Sequence, residues 1–345
     1  MTPRDLVLRY GWNSTCYQVL NPGILHWMSK SGDCLIGYVR SGSMAIVAGA
    51  PICSLERLAD GLREWEAEAA RQGLSVCYFG AEDRLQSFLA DDPAYTSVVL
   101  GCQPDWTPSH FLARLRADRS LRAQLHRAHN KGVVVQEWTD EQARNHPQLR
   151  AVLDDWLRGR GLPTLHFLVE PQTLSDLRDR RIFVASRKDR VVGFVTLCPA
   201  PARNGWLTEQ FVRAHDAPNG TVELALYHAI EAITDADFVT MGIVPLSQRS
   251  SSPHTKTPAW LAAASQWARA HGNRFYNFQG LDAFKSKFHP DAWQPVVVIV
   301  KDRRFRLKHL RAIAAAFTQT TPELALLGGL GRAIRSEFRG RRPVS

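Results

Sequence analysis

Two lysines set two residues apart in an aromatic-rich stretch are the first place where this sequence offers chemistry. The stretch runs Phe275-Tyr276-Asn277-Phe278-Gln279-Gly280-Leu281-Asp282-Ala283-Phe284-Lys285-Ser286-Lys287-Phe288, with Trp293 shortly after it. Ammonium groups among aromatic rings suit a phosphate or a developing oxyanion. They suit equally a buried strand, Phe275–Phe278, that ends at Gly280 and leads into a short helix and a solvated basic turn. Composition leaves both readings open. Residues two apart do not share a helical face, so Lys285 and Lys287 must meet different partners.

Upstream, Thr208-Glu209-Gln210-Phe211-Val212-Arg213 alternates as a strand does. That places Glu209 and Arg213 on one face and Gln210 on the other. The pair is either a buried structural ion pair or a carboxylate for an amino group beside an arginine for a phosphate or carboxylate. Glu223 follows on a helix whose start, Pro218-Asn219-Gly220-Thr221, turns backbone N–H groups toward any anion placed there. Gly242-Ile243-Val244-Pro245-Leu246-Ser247 ends the next strand, where ligand crevices open in parallel and mixed sheets. Ser247 is a candidate donor at that edge. Gln248–Thr257, polar and rich in Ser, Pro and Thr, reads as a loop that could close over it.

These residues need a scaffold, and the same order of elements occurs twice. Cys34–Arg40 and Met44–Gly49 pair across Ser41-Gly42-Ser43, followed by a helix over Leu55–Arg71 and a strand over Leu74–Phe79. Arg181–Arg187 and Val191–Leu197 pair across Lys188-Asp189-Arg190, followed by strand Trp206–Arg213, helix Val222–Ile233 and strand Phe238–Gly242. Hairpin, helix, strand is the order of the acyltransferase fold named for Gcn5-related N-acetyltransferases. Its recurrence resembles a tandem of two such domains in an α/β (α+β) chain. The expected division is 1–138, 139–300 and a basic amphipathic tail, 301–345.

Between the halves, a single helix is expected over Ser109–Lys131, N-capped by Ser109. It carries Arg114, Arg116, Arg119, Arg122, Arg127 and Lys131 against Asp118, over an apolar face of Phe111, Leu112, Leu115, Leu121 and Leu125. That density of charge is either a solvated surface or a dock for phosphates. The tail repeats the theme from Arg303 to Arg342. Leu307, Leu310, Ala314 and Phe317 fall at helical spacing, and so do Leu327, Leu330, Ile334 and Phe338. Basic amphipathic helices of this kind lie on anionic bilayers or pack on a domain.

The whole chain agrees with an anionic partner. Its 345 residues carry a formal charge of +10, with 45% hydrophobic and 22% charged residues. This is a folded protein suited to nucleic acid, an acidic membrane surface or both. Six cysteines without a C-x-x-C pair exclude a usual zinc site and a dense disulfide framework, and fit a reducing cytosol. Neither a signal peptide nor an apolar run of membrane-spanning length is present, so membrane contact is expected to be peripheral. H-E-x-x-H, Walker, G-x-S-x-G and G-x-G-x-x-G motifs are absent, which removes zinc proteolysis, nucleotide hydrolysis and Rossmann redox chemistry. The loop at Asn219-Gly220 has one glycine where acetyl-CoA enzymes of this fold place a glycine-rich cradle, so the donor is not expected to be an acyl-CoA.

Pro218-Asn219-Gly220, Gly242–Ser247, and the stretch from Phe275 through Gly280 and Lys287 to Trp293 resemble, in order, the motifs of the phosphatidylglycerol lysyltransferase family. The similarity runs from about Tyr17 to Val300, more weakly in the first half at Gly49-Ala50-Pro51 and Arg127–Gly132. The resemblance implies transfer of an aminoacyl group from aminoacyl-tRNA to a hydroxyl of an anionic membrane lipid, at the cytoplasmic face of the inner membrane, with no cofactor and no metal. It implies catalytic roles for Glu209, Lys285 and Lys287. Substrate contacts would come from Arg213, Gln210, Asn219, Gly220, Glu223, Gly242, Ser247, Phe278, Gly280 and Asp282. Arg114, Arg119, Arg122, Arg127 and Lys131 would meet tRNA or lipid phosphates.

Gln210 stands where the family usually has aspartate, Asp282 where it has arginine, and Ala50 where it has aspartate, which leaves the transferred amino acid open. The family's membrane-embedded flippase portion is not in this sequence, so translocation of a product would fall to a separate flippase. Two other readings fit the same fold: a small-molecule N-acyltransferase with a thioester donor, and a non-catalytic RNA- or membrane-binding relative.

Overall fold

The computed structural model describes residues 1–159, 165–255, 257–271 and 278–319. The first half runs α1 (Pro3–Tyr10), a 3-10 turn at Cys16–Leu20, β1 (Leu25–Met28), β2 (Leu35–Ser41), β3 (Met44–Ala48), α2 (Leu58–Arg71), β4 (Ser75–Ala81), α3 (Asp83–Leu89) and β5 (Thr96–Trp106). Helices α4 (Pro108–Ala117) and α5 (Arg119–Asn130) lead to β6 (Val134–Trp138), α6 (Asp140–Ala143) and α7 (Pro147–Arg158). The second half follows with β7 (Arg181–Arg187), β8 (Arg190–Ala200), β9 (Gly205–Arg213), α8 (Thr221–Glu231), β10 (Phe238–Thr240) and β11 (Val244–Pro245). The chain closes with α9 (Ala259–His271), α10 (Phe278–Ser286), β12 (Ala292–Val300) and α11 (Leu307–Thr318).

Among the described residues the strands form one sheet in the order β1-β2-β3-β4-β12-β5-β10-β9-β8-β7-β6, with β11 also on β5. The expected hairpin, helix, strand order is present in both halves. Alternation along β12 shows how the sheet is covered. Val297 and Ile299 join the core under α2, while Val296, Val298 and Val300 join the core on the other face with Ala312 and Ile313 of α11. The β7–β8 turn is Lys188-Asp189, both with positive φ, the two-residue geometry whose twist matches the flanking strands.

Three expectations change. The long basic helix is two helices, because Asp118 leaves helical geometry and its carboxylate accepts the Leu121 N–H at 2.9 Å, capping α5. Phe278 starts a helix that runs through Gly280 rather than ending a strand; residues 275–277 lie outside the described residues. Helix α11 packs Leu310 and Phe317 against the core as expected, together with the buried Ala312, Ile313 and Ala316, but leaves Leu307 59% exposed, so its apolar face is wider than the one expected and does not include Leu307. The second tail helix, from Leu327, lies outside the described residues.

Candidate functional site

Strand β9 pairs with β10 in parallel only from Gly205–Phe238 to Leu207–Thr240. Beyond Thr240 the chain turns at Gly242, φ +72°, and goes to β5 as β11, paired Val244 to Cys102. The sheet therefore opens between the end of β9 and residues 241–245.

Lys285 closes the base of this opening. Its Nζ donates to the carbonyls of Met241, Gly242 and Ile243 at 2.6, 2.9 and 3.1 Å. The residue is 2% exposed, and burial away from water lowers its pKa to about 7. It is therefore enclosed by main chain rather than open to a substrate oxyanion. Its three bonds tie α10 to the chain where it leaves β10.

Lys287, beyond the end of α10, turns elsewhere. It donates to Glu223 on the first turn of α8 and lies 3.5 Å from Gln124 Oε1 of α5. Its ammonium stands 4.2 Å from the Phe284 ring centre and 5.1 Å from that of Phe288. Phe284 stacks on Phe211 of β9 at 5.3 Å, which ties α10 to the edge of the opening. Lys287, Glu223, Phe211 and Phe284 thus form one wall, with the Glu223 carboxylate largely buried and the ammonium partly exposed.

Glu209 lies elsewhere. Thr196 pairs with Gln210 and Leu197 with Thr208, so Glu209 is the extra residue of a β-bulge, and the expected alternation with Arg213 is broken. Its carboxylate takes a two-point bond from Arg180 at 2.7 and 2.9 Å, with both side chains under 5% exposed. Burial opposes the charge on Arg180 and the Glu209 carboxylate outweighs it, raising the guanidinium further. Arg213 is exposed at the strand end, and the ion pair considered for it belongs to Arg180.

The surroundings of Glu209 are polar and closed. Arg180 also donates to Asn21 Oδ1 at 2.6 Å and lies 4.8 Å over the Tyr17 ring. Gln18 Nε2 reaches Glu209 at 3.5 Å. Gln210 Nε2 donates to the carbonyls of Pro171 and Glu170 at 2.9 and 3.3 Å, which fixes the amide orientation and leaves Oε1 as an acceptor. Gln18 Oε1, Asn21 Nδ2, Thr173 Oγ1, Thr196 Oγ1 and Gln210 Oε1 are buried without a hydrogen-bond partner among the described residues. Buried groups of this kind are normally paired with protein or with ordered water, so these five atoms have hydrogen-bonding capacity to spare.

The remaining candidates divide. Ser247 donates to Asp282 at 3.0 Å, and Arg249 grips the same carboxylate at 2.9–3.0 Å. Burial works to raise the Asp282 carboxyl, and the bonds from Arg249 and Ser247 outweigh it, so it ionises below the usual range. Arg249 also faces the Trp293 ring at 5.1 Å, and Gln86 holds Ser252 at 2.6 Å, so the polar loop is tied at two points. Gly280 is half-buried in α10, and Phe278 is placed by its backbone.

Gly220, φ +94°, caps α8 in a conformation suited to glycine, and a Cβ there would come within 2.0 Å of the Gln124 carbonyl oxygen. Helix α5 therefore lies against the start of α8, with Asn219 exposed beside it. Of the five phosphate candidates, Arg114 is bound to Asp291 at 2.6 Å and Arg122 donates to the carbonyls of Arg116 and Ala117. Arg119, Arg127 and Lys131 are exposed and have no carboxylate partner among the described residues.

Arg180, Gln18 and Arg249 were not expected from sequence. Arg180 and Glu209 are 29 residues apart, and nothing in the Asp179-Arg180-Arg181 run marks one arginine as buried.

The fold is a mixed α/β one in which a hairpin, a helix and a strand follow one another in both halves. Residues 4–300 match the family described as phosphatidylglycerol lysyltransferase, C-terminal, and the chain belongs to that family. A phosphatidylglycerol lysyltransferase of Staphylococcus xylosus is 22% identical over 312 residues, 87% of this chain and 35% of that protein. The chain thus spans about a third of that relative. L-PGS of Bacillus licheniformis shares the fold with a TM-score of 0.74 at 20% identity, covering 91% of this chain and 94% of that one. The C-terminal domain of a chain described as a lysylphosphatidylglycerol synthetase from Agrobacterium fabrum aligns with a TM-score of 0.73 at 21% identity, covering 92% and 95%.

Proposed function

We propose that this protein is an aminoacyltransferase that moves an amino acid from aminoacyl-tRNA to a hydroxyl of an anionic, phosphatidylglycerol-like lipid at the cytoplasmic face of the membrane. Family membership over residues 4–300 supports the reaction class. The observation that carries the reading is the opening of β9 from residues 241–245, with the Lys287–Glu223 pair on its wall and the polar cluster at Glu209 along the same strand.

The donor is already an activated ester, so the reaction is an ester exchange. The lipid hydroxyl attacks the aminoacyl carbonyl, a tetrahedral oxyanion forms, and the bond to the ribose oxygen breaks. Glu223 takes the hydroxyl proton and returns it to the departing ribose oxygen, while the Lys287 ammonium faces the oxyanion. Lys285 keeps the strand ends apart, and Arg213 meets a phosphate at the rim. The aminoacyl side chain sits among Gln18, Gln210, Thr173 and Thr196. The Glu209 charge is already balanced by Arg180, so a neutral side chain fits better than a lysyl ammonium, which would be buried without a counter-ion.

Helix α5 against Gly220 supports a donor other than an acyl-CoA, since it lies where a pyrophosphate would approach the start of α8. Its exposed Arg119, Arg127 and Lys131 suit RNA phosphates. A separate flippase would move the lipid product across the membrane. Incubation with mixed radiolabelled aminoacyl-tRNAs and lipid extract should carry label into the organic phase in an RNase-sensitive manner. Transfer that survives RNase, or none with any charged tRNA, overturns the reading.

A further inference from the structure

Away from this opening, residues 90–93, 95–97, 253, 254, 258, 260 and 303–307 enclose an open cleft of about 1120 Å³. Its rim combines two kinds of side chain that soluble surfaces usually keep apart. Trp260 is 39% exposed and Leu307 59% exposed, both lining the cleft. Trp260 is not a loose side chain: it stacks on the buried Phe305 at 6.2 Å with an interplanar angle of 11°. Beside them stand Arg303 and Arg304, exposed and without a carboxylate partner among the described residues, and Arg306, which reaches Asp302 at 3.7 Å. Asp91 and Asp92 also line the cleft, and Asp302 beside it takes Arg306 and Lys308, so four cations against three carboxylates leave this face slightly positive.

We propose that this cleft is the surface by which the chain docks on an anionic bilayer. Trp and Leu tips enter the boundary between headgroups and acyl chains, and the arginines pair with lipid phosphates. An RNA partner would use the cations and leave Leu307 without purpose. The exposed cations of α5, by contrast, have their apolar residues Leu121 and Ala128 turned into the core, and none of the large exposed hydrophobic residues belongs to that helix. The two anionic partners therefore have separate surfaces, lipid at the cleft and RNA along α5. This assignment rests on the lipid-acceptor reading above.

The test is co-sedimentation of the full chain with sucrose-loaded vesicles of phosphatidylglycerol and phosphatidylethanolamine, against phosphatidylcholine vesicles, beside filter binding of tRNA. Arg303→Glu with Arg304→Glu should weaken anionic-vesicle binding by at least about 30-fold, from the usual contribution of each surface cation. Trp260→Ala with Leu307→Ser should weaken it without changing salt dependence. Both pairs should leave tRNA binding unchanged, and the arginine pair should leave the thermal midpoint unchanged as well. Vesicle binding that survives both pairs, or tRNA binding that falls with them, overturns the assignment. Transfer to lipid in detergent micelles separates the two proposals, because loss of docking spares it and loss of the transferase reading does not.

Discussion

Lys285 and Lys287 stand two residues apart, and their ammonium groups face different surroundings: three main-chain carbonyls for Lys285, and the Glu223 carboxylate for Lys287. Their consequences on substitution should therefore differ in kind.

Lys285→Met leaves three buried carbonyls without a donor and should cost about 1–3 kcal/mol by chemical denaturation. Burial lowers the native pKa of Lys285 to about 7 from the ordinary 10.5. Between these values the unfolded chain holds more protons than the native one, so this group makes stability rise with pH across that window. Denaturation at pH 7, 8 and 9 should show a shallower rise in the variant than in the parent.

Glu223→Gln and Lys287→Met should each lower turnover by about 100-fold or more if the carboxylate moves the proton and the ammonium meets the oxyanion. The double variant should be little worse than either single one, since the two act as a unit. Single-turnover transfer from charged tRNA reads this directly.

Arg180→Met strands a carboxylate that is 3% exposed and should destabilise the protein by about 3–5 kcal/mol. Adding Glu209→Leu should restore most of that loss, because removing both charges removes the burial penalty. Urea titration of both variants checks it.

Arg119→Gln with Arg127→Gln should reduce tRNA affinity without changing the preference among tRNAs. The slope of log affinity against log salt should fall by roughly one to two, as expected when two cations no longer neutralise RNA phosphates. Filter binding between 50 and 200 mM salt, on the order of the usual range, measures it.

Local pattern was well written in the sequence. Both hairpins, α2, α8 and β9 lie where alternation and helical spacing place them, and the two-residue argument for Lys285 and Lys287 needed no tertiary information. What stayed hidden depends on one residue or on distant ones. A single capping carboxylate, Asp118, splits the basic helix; one extra residue, Glu209, changes which neighbours β9 can reach. The Arg180–Glu209 and Arg249–Asp282 pairings join segments 29 and 33 residues apart, and no periodicity encodes them. The same holds for Gln18, which meets Glu209 across 191 residues.

Strand β12 lies between β4 and β5, both of which are made within the first 106 residues. On the ribosome, those two early strands must wait for nearly two hundred more residues before the piece that joins them emerges. During that interval each presents an open edge to any other nascent chain. The expected outcome is that folding during synthesis depends on chaperones that shield unpaired strands, and pulse-labelled synthesis with and without them checks it.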